Sequence, residues 1–380
     1  MFDERSQHTS SVIGRRRFVG GLASLAAASA FSLTVADDAA AQVTAGDDSS
    51  TQTVASPDGT VAVTVDVAEG VPSYRITHGE TTVIDGSTLG FEFANQATFR
   101  EGIAVTGSER STVDETWTPV WDRYDEIREH YEQLRVGLRE SGDSGRALTL
   151  EFRAFDDGVG FRFVFPEDGG FGEFATSSER TEFAFADDYT AWWIQSDFNS
   201  YEYAYNETPL SDIVSQSPTG GAHTPMTMKA AEDRYVSVHE ANLVDYAAMA
   251  VRPTAEGSTT FESSLAPLPN GTKVTASAPH RTPWRTIQVG ERPGDLVESN
   301  LVVNLNDPRD PEDFPQGTDW IEPQKFIGIW WLMITGRADW EYMGPQTGNH
   351  GAQTGRMKQY MDFASEHSIP SVLVEGWNEG

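Results

Sequence analysis

The chain has 380 residues, of which 38% are hydrophobic and 11% aromatic, enough material for a large core and for more than one domain. Its 58 acidic residues against 27 basic ones give a formal charge of -31, spread along the chain, which repels phosphate backbones and anionic lipid and so argues against nucleic acid or a membrane surface as partner. With no cysteine in the sequence, disulfides, thiol nucleophiles and thiolate metal sites are excluded, and any metal must be held by oxygen or imidazole.

The first element is a targeting signal. Arg15-Arg16-Arg17-Phe18-Val19 matches the twin-arginine export pattern, a weakly apolar run follows to Val35, and Ala39-Ala40-Ala41 offers a small-residue cleavage site. The expectation is a Tat signal peptide over residues 1–41, export of a folded protein, and an extracellular or cell-surface destination with no membrane attachment after cleavage. Residues 42–55, rich in Asp, Ser and Thr, read as a flexible leader.

From Ser56 the pattern is β. Thr60 to Val67 alternates polar and apolar residues, and Gly79-Glu80 separates two short strand patterns, Tyr74 to Thr77 and Thr81 to Ile84, as a hairpin turn would. Leu148 to Phe155, Asp156-Asp157-Gly158 and Val159 to Phe165 make the clearest hairpin, with Leu148, Leu150, Phe152 and Ala154 sharing a face with Phe161, Phe163 and Phe165. Further strands are expected at Leu89–Phe93, Thr181–Phe185, Ala191–Ile194, Tyr235–His239, Thr259–Leu265, Val274–Ala276, Arg285–Val289 and Leu301–Leu305. Repeated short strands with Gly and Pro punctuation predict a mainly β fold, a large antiparallel sandwich over residues 56–306.

The pattern changes at residue 307. Asp307 to Pro315 is proline- and acid-rich, and residues 307–323 read as a linker between domains. Phe326 to Ile334 then reads as one apolar strand. A helix over Gln353–Glu366 carries Met357, Tyr360, Met361 and Ala364 at helical spacing, and Ser371 to Val374 is a closing strand that suits burial on both faces. Such a βαβ unit over residues 324–380 looks like the start of an incomplete TIM barrel, with Glu375 delivered to the strand's C-terminal edge, where barrels place their reactive groups.

Several side chains are chemical candidates. In Trp192 to Tyr205, dense aromatics beside Asp197 and Glu202 could supply sugar-stacking faces and a hard oxygen ligand, or only a core strand followed by a solvated acidic turn. His239 and Glu240 should point to opposite faces of a strand, which argues against a joint metal site. Trp330-Trp331 reads as core packing or as a substrate platform. His350 sits in a loop pattern, Gly348-Asn349-His350-Gly351, and Asn206-Glu207-Thr208 and Asn270-Gly271-Thr272 are glycosylation sequons. Only Lys229, Lys273, Lys325 and Lys358 are lysines; a Lys-poor acidic surface of this kind holds water and cations in high salt, so a salt-loving source is expected.

Ser56-Pro57-Asp58-Gly59, Glu115 to Trp121, Phe155 to Arg162, Ser200-Tyr201-Glu202-Tyr203, His239-Glu240-Ala241, Thr282 to Ile287, Ile327 to Trp331 and Leu373 to Gly380 together resemble glycoside hydrolase family 97. The resemblance runs from Ser56 to the last residue. It implies calcium-dependent, exo-acting α-glucosidases and α-galactosidases built from an N-terminal β-super-sandwich, a catalytic TIM barrel and a short C-terminal β domain. By resemblance, Glu202 falls on the sandwich glutamate that ligates the calcium. Glu375 falls on an active-site glutamate at the end of the second barrel strand, and Trp330, with Trp331 beside it, at the substrate pocket. The implied partner is an oligosaccharide with a terminal α-linked glucose or galactose. Hydrolysis needs an acid and a second carboxylate, and in the family these residues lie on later barrel strands. The chain is therefore expected to hold no complete catalytic set, an incomplete calcium site, and no activity alone. The alternative expectation is a non-catalytic carbohydrate-binding or surface protein that keeps the sandwich.

Overall fold

A computed structural model describes residues 44–45, 50–142, 145–308, 312–340 and 349–377. The expected signal peptide, Gly348 of the His350 loop, and the Asn378-Glu379-Gly380 end of the last motif lie outside the described residues.

Two antiparallel sheets dominate. The larger runs, strand by neighbouring strand, Ile103–Trp117, Ile127–Glu140, Ala147–Phe155, Gly158–Phe165, Trp284–Gly290, Arg234–Ala241, Met226–Ala231, Thr190–Trp193 and Asn206–Pro209. The second runs Ala222–His223, Met249–Pro253, Thr260–Leu265, Glu182–Phe185, Thr81–Thr88, Val71–His78, Val61–Ala68 and Thr51–Ala55. Period-two alternation turns Val61, Val63, Val65 and Val67 inward from one sheet, and Leu148, Leu150, Phe152, Ala154, Phe161, Phe163 and Phe165 from the other. The two meet where the Tyr74 ring lies 4.8 Å from that of Phe161 and 6.3 Å from that of Phe152. A three-stranded sheet, Val274–Ser277, Glu173–Glu179 and Phe91–Phe93, adds a phenylalanine cluster in which Phe165 stacks on Phe174 at 4.7 Å. The expected β-sandwich is the observed fold.

Three elements differ from the sequence reading. Within the expected leader, Thr51–Ala55 is a strand paired with Val61–Ala68, because Gln52 and Val54 alternate inward; Gln52 Oε1 accepts from Ser108 Oγ at 3.0 Å and from Arg110 Nη2 at 2.8 Å. Leu301–Asn304 is a helical turn rather than a strand. Leu301 and Leu305 share a face under either periodicity, but Val303 is half-buried and Asn304 buried, as helical spacing requires. The two leucines sit on the glycines of the Gly158–Phe165 strand: a Cβ on Gly160 would come within 2.4 Å of Leu305 Cδ1.

The third difference is at Phe326–Ile334. The strand stops at Gly328 and Trp330–Ile334 is helical, because the buried positions are Ile329 and Met333, four apart. Together with Ala338 and Met357 they form a small cluster against which Val374 packs. The helix Thr354–Glu366 forms as its spacing predicts and leads to the strand Ser371–Leu373. That strand pairs in parallel with Phe326–Gly328, with Ile327 opposite Val372. Among the described residues no helix is long and apolar enough to cross a membrane.

Candidate functional site

The parallel pair ends in a cleft. Phe326, Gly328, Trp330, Trp331, Leu373 and Glu375 line about 360 Å³ along one face of the two strands, from Phe326 at the start of the first to Glu375 beyond the C-terminal end of the second, the end at which parallel sheets bind ligands. The break after Gly328 is what presents both indoles: their rings lie 5.8 Å apart, and Trp330 is 39% and Trp331 68% exposed. The structure thus brings three sequence candidates together. Glu375 is half-buried, and its Oε2 is buried with no hydrogen-bond partner among the described residues. A buried carboxylate oxygen without a donor is costly, so the site is shaped for a donor that the described residues do not provide.

Glu202 lies elsewhere, in the irregular stretch between the strands Thr190–Trp193 and Asn206–Pro209, and its side chain is exposed. Its loop is tied down at several points. Asp197 accepts the Tyr203 hydroxyl at Oδ2 and the Asn199 N–H at 2.9 Å, which together hold its carboxyl below the usual range. The Tyr201 hydroxyl donates to the Thr224 carbonyl, and His223 Nε2 bonds the Asp197 carbonyl at 2.8 Å. Calcium takes about six to eight oxygens. Among the described residues no group of three or more His, Asp and Glu side chains could hold a metal ion, and the Asp197 carboxylate on the same loop already accepts a hydrogen bond at each oxygen. These residues by themselves do not fit a calcium ion.

Behind the loop lies a second cleft of about 590 Å³, bordered by Asp197, Phe198, Tyr201, His223, Thr224, His239, Glu240 and Met249 among others. The sequence reading gave no role to His223, because only strand pairing brings it to Tyr201, whose ring lies 4.6 Å away. His239 and Glu240 leave the strand in different directions, as alternation predicts: His239 Nδ1 reaches Thr224 Oγ1 at 3.1 Å, and Glu240 Oε2 accepts from Arg285 at 2.7 Å. Both nevertheless border the same cleft. Burial holds the His239 imidazole below its ordinary pKa.

Arg285 is fully buried, with Nε and Nη2 bonding Glu179 at 2.8 and 2.7 Å and Nη1 bonding Glu240. Burial pushes the Glu179 carboxyl up, but Arg285 outweighs it and Glu179 ends below its usual range; at Glu240 burial wins over Arg285 and the carboxyl is raised. Glu240 Oε1 is also occupied, by the Met249 N–H at 3.0 Å. Of this network, Glu240 borders the second cleft.

Comparison with known proteins accounts for both regions. Residues 54–308 match the family described as glycosyl-hydrolase 97 N-terminal, and residues 330–380 match glycoside hydrolase 97. A retaining alpha-galactosidase of Bacteroides thetaiotaomicron is 27% identical over 350 residues, covering 84% of this chain and 49% of its own length. A glycoside hydrolase family 97 enzyme from Pseudoalteromonas sp. strain K8, solved in complex with acarbose, is 38% identical with a TM-score of 0.77, covering 87% of this chain and 48% of that one. A variant of the same enzyme in complex with panose superimposes with the same TM-score, 0.77, identity, 38%, and coverage, 87% and 48%. The chain spans about half the length of these relatives. It belongs to glycoside hydrolase family 97, of which it carries the N-terminal sandwich and part of the catalytic region.

Proposed function

We propose that this chain is the N-terminal part of an exported, exo-acting α-glycosidase that removes terminal α-linked glucose or galactose from oligosaccharides. The observation that carries the reading is the unpartnered Glu375 oxygen in a cleft flanked by Trp330 and Trp331, at the end of a parallel strand in the segment that matches the family's catalytic region. An indole offers a flat apolar face to a sugar ring, and a carboxylate accepts from its hydroxyls. Glu375 and Trp330, with Trp331 beside them, are proposed to shape the sugar pocket rather than to transfer the reacting proton. The relatives named for α-galactosidase activity or solved with acarbose and panose support a carbohydrate substrate.

Protonation of the leaving oxygen and activation of a nucleophile require two carboxyls flanking one bond. Among the described residues that line the cleft, Glu375 is the only carboxylate, so the chain alone is expected to bind sugar without turning it over. Glu202 is proposed to give one oxygen to a calcium ion whose other ligands the described residues do not supply. Tat export and a high-salt habitat remain part of the proposal, on the strength of the arginine motif and the Lys-poor acidic composition.

The test is to mix the purified chain with aryl α-glucosides and aryl α-galactosides. Quenching of tryptophan fluorescence that saturates with sugar, is lost in Glu375→Gln, and comes with no release of the aryl group is the expected result. Measurable hydrolysis would overturn the inactivity of the chain, and absence of any Glu375-dependent sugar binding would overturn the assignment of the pocket. The rival reading, a carbohydrate-binding protein with no catalytic role, is favoured by the second cleft alone; it requires saturable sugar binding that Glu375→Gln leaves intact.

A further inference from the structure

The sequence carries two Asn-x-Thr sequons that the proposed function does not use, and the fold treats them differently. Each presents a side-chain amide nitrogen and, two residues on, the hydroxyl by which a glycosyl transferase reads the motif. In the proposed twin-arginine export the chain crosses already folded, so a transferase outside meets the native structure and uses only a sequon that is reachable there.

Asn206-Glu207-Thr208 lies in the strand Asn206–Pro209 at the margin of the larger sheet, in register with Trp193, Trp192 and Ala191. Thr208 is buried. Its hydroxyl accepts from Trp193 Nε1 at 3.0 Å and donates its one proton to the Pro209 carbonyl at 2.9 Å. Trp193 has no exposed surface, so turning that hydroxyl outward means opening the core beneath it. Reading this sequon requires unzipping the strand.

Asn270-Gly271-Thr272 stands instead in the irregular loop between the strands Thr260–Leu265 and Val274–Ser277, where residues 267–271 are all exposed. The loop is folded on itself: the Leu268 N–H donates to the Thr272 carbonyl at 2.7 Å, and the Thr272 N–H to Asn270 Oδ1 at 3.0 Å. The second bond orients the amide, because the oxygen faces the backbone and Nδ2 points away from it. Neither Nδ2 nor the Thr272 hydroxyl has a hydrogen-bond partner among the described residues. Gly271, at a φ of +86°, gives the turn its left-handed residue, and nothing lies within 4 Å of where its Cβ would stand. The same turn restrains the competing reaction of an Asn-Gly pair, attack of the glycine nitrogen on the side-chain carbonyl, since the Gly271 N–H is engaged by the Leu268 carbonyl at 2.8 Å. The motif borders neither cleft.

We propose that Asn270 is an N-glycosylation site of the exported protein and that Asn206 is not. Nδ2 of Asn270 attacks C1 of an oligosaccharide carried on a polyprenyl phosphate. The N–C1 bond forms, the C1–O bond to the phosphate breaks, the amide gives up one proton and the polyprenyl phosphate leaves. The site rests on the reading of the protein as exported, and not on the pocket at Glu375. To test it, the protein is recovered from the medium of the cells that make it and digested with trypsin. Arg252 precedes a proline and resists cleavage, so Asn270 falls in peptide 235–273 and Asn206 in peptide 181–229. Mass spectrometry should find one glycan on 235–273, placed on Asn270 by fragmentation, and an unmodified 181–229. Asn270→Gln should abolish the addition. Thr272→Ala, which keeps the N–H that Asn270 accepts and removes only the hydroxyl, should abolish it as well. Unmodified 235–273 in exported protein overturns the site and leaves export standing, whereas protein found only inside the cell overturns the export reading and the site with it. A glycan on 181–229, a glycan on 235–273 that persists in Thr272→Ala, or conversion of Asn270 to an aspartate without a glycan also overturns the site.

Discussion

Arg285 shows how much of this sandwich is decided by single side chains. A guanidinium with no exposed surface survives there because Glu179 takes two of its donors and Glu240 a third, while Thr181 and Tyr246 donate to Glu179 at 2.8 Å each. Removing one member of such a group leaves a buried charge uncompensated, which costs about 3–5 kcal/mol. Glu179→Gln should therefore lower stability by about that amount in urea unfolding, and a loss below about 1 kcal/mol would contradict the network. The same side chain sets an acid limb. The folded-state pKa of Glu179 is depressed below the ordinary 4.5, so its stabilisation is complete above that value and lost as pH falls through the folded value. Glu240 has the opposite sign, its raised carboxyl acting above pH 4.5. Glu179→Gln should thus flatten the pH dependence of stability below about pH 4.5 and, because the Glu179 charge helps to raise the Glu240 carboxyl, weaken the dependence above it as well. The sequence displayed Glu240 and Arg285 only as members of separate motifs; Glu179 is 106 positions from Arg285, and no local pattern joins them.

At the scale of elements, the sequence was readable where one face is buried and the other is not. The Leu148–Phe165 hairpin alternates cleanly and formed as expected, with Phe152 opposite Phe161. The long arm of Ile103–Trp117 paired with Ile127–Glu140 escaped notice, because much of its first strand is exposed on both faces and alternation carries no information there. It is held by cross-strand polar pairs instead, such as the bidentate Arg128–Asp114 bond at 2.7 and 2.9 Å. Leu301–Leu305 and Phe326–Ile334 were misread for a different reason: over five to nine apolar residues, periods of two and of 3.6 share many buried positions. At the candidate site, Glu375 and the two tryptophans were visible as a strand-end pattern, whereas the His223 cleft depends on pairing across the fold. The hairpin turn itself gives a prediction. Gly158 has φ of +149°, and a Cβ there would approach the Ile287 carbonyl oxygen to 2.3 Å. Gly158→Ala should destabilise the sandwich by about 1–3 kcal/mol or more through backbone strain alone, measured by urea unfolding; a neutral substitution would show that the neighbouring strand can yield.

The whole molecule divides by how its parts are held. The largest hydrophobic cluster draws on residues from Val54 to Val289 and includes both sheets, whereas the cluster around Ile329 and Met333 is small and draws only on the βαβ segment. That segment leaves Phe326, Trp331, Ile334, Met361 and Trp377 more than half exposed, at 60%, 68%, 52%, 54% and 72%. Apolar surface of this extent beside a two-stranded parallel sheet has little to stabilise it, since parallel sheets persist when both faces are covered. Between the two clusters, residues 312–325 are largely exposed and form no helix or strand, the condition under which a protease can seat a segment in its active site. Brief digestion of the native chain should therefore cut within about residues 307–325 and leave a sandwich fragment that resists further cleavage, while the segment beyond it is degraded. Mass spectrometry of the resistant fragment reads the boundary directly. A βαβ segment that survives digestion as long as the sandwich would mean that its exposed face is covered in solution, and analytical ultracentrifugation of the undigested chain would then show whether a second copy covers it.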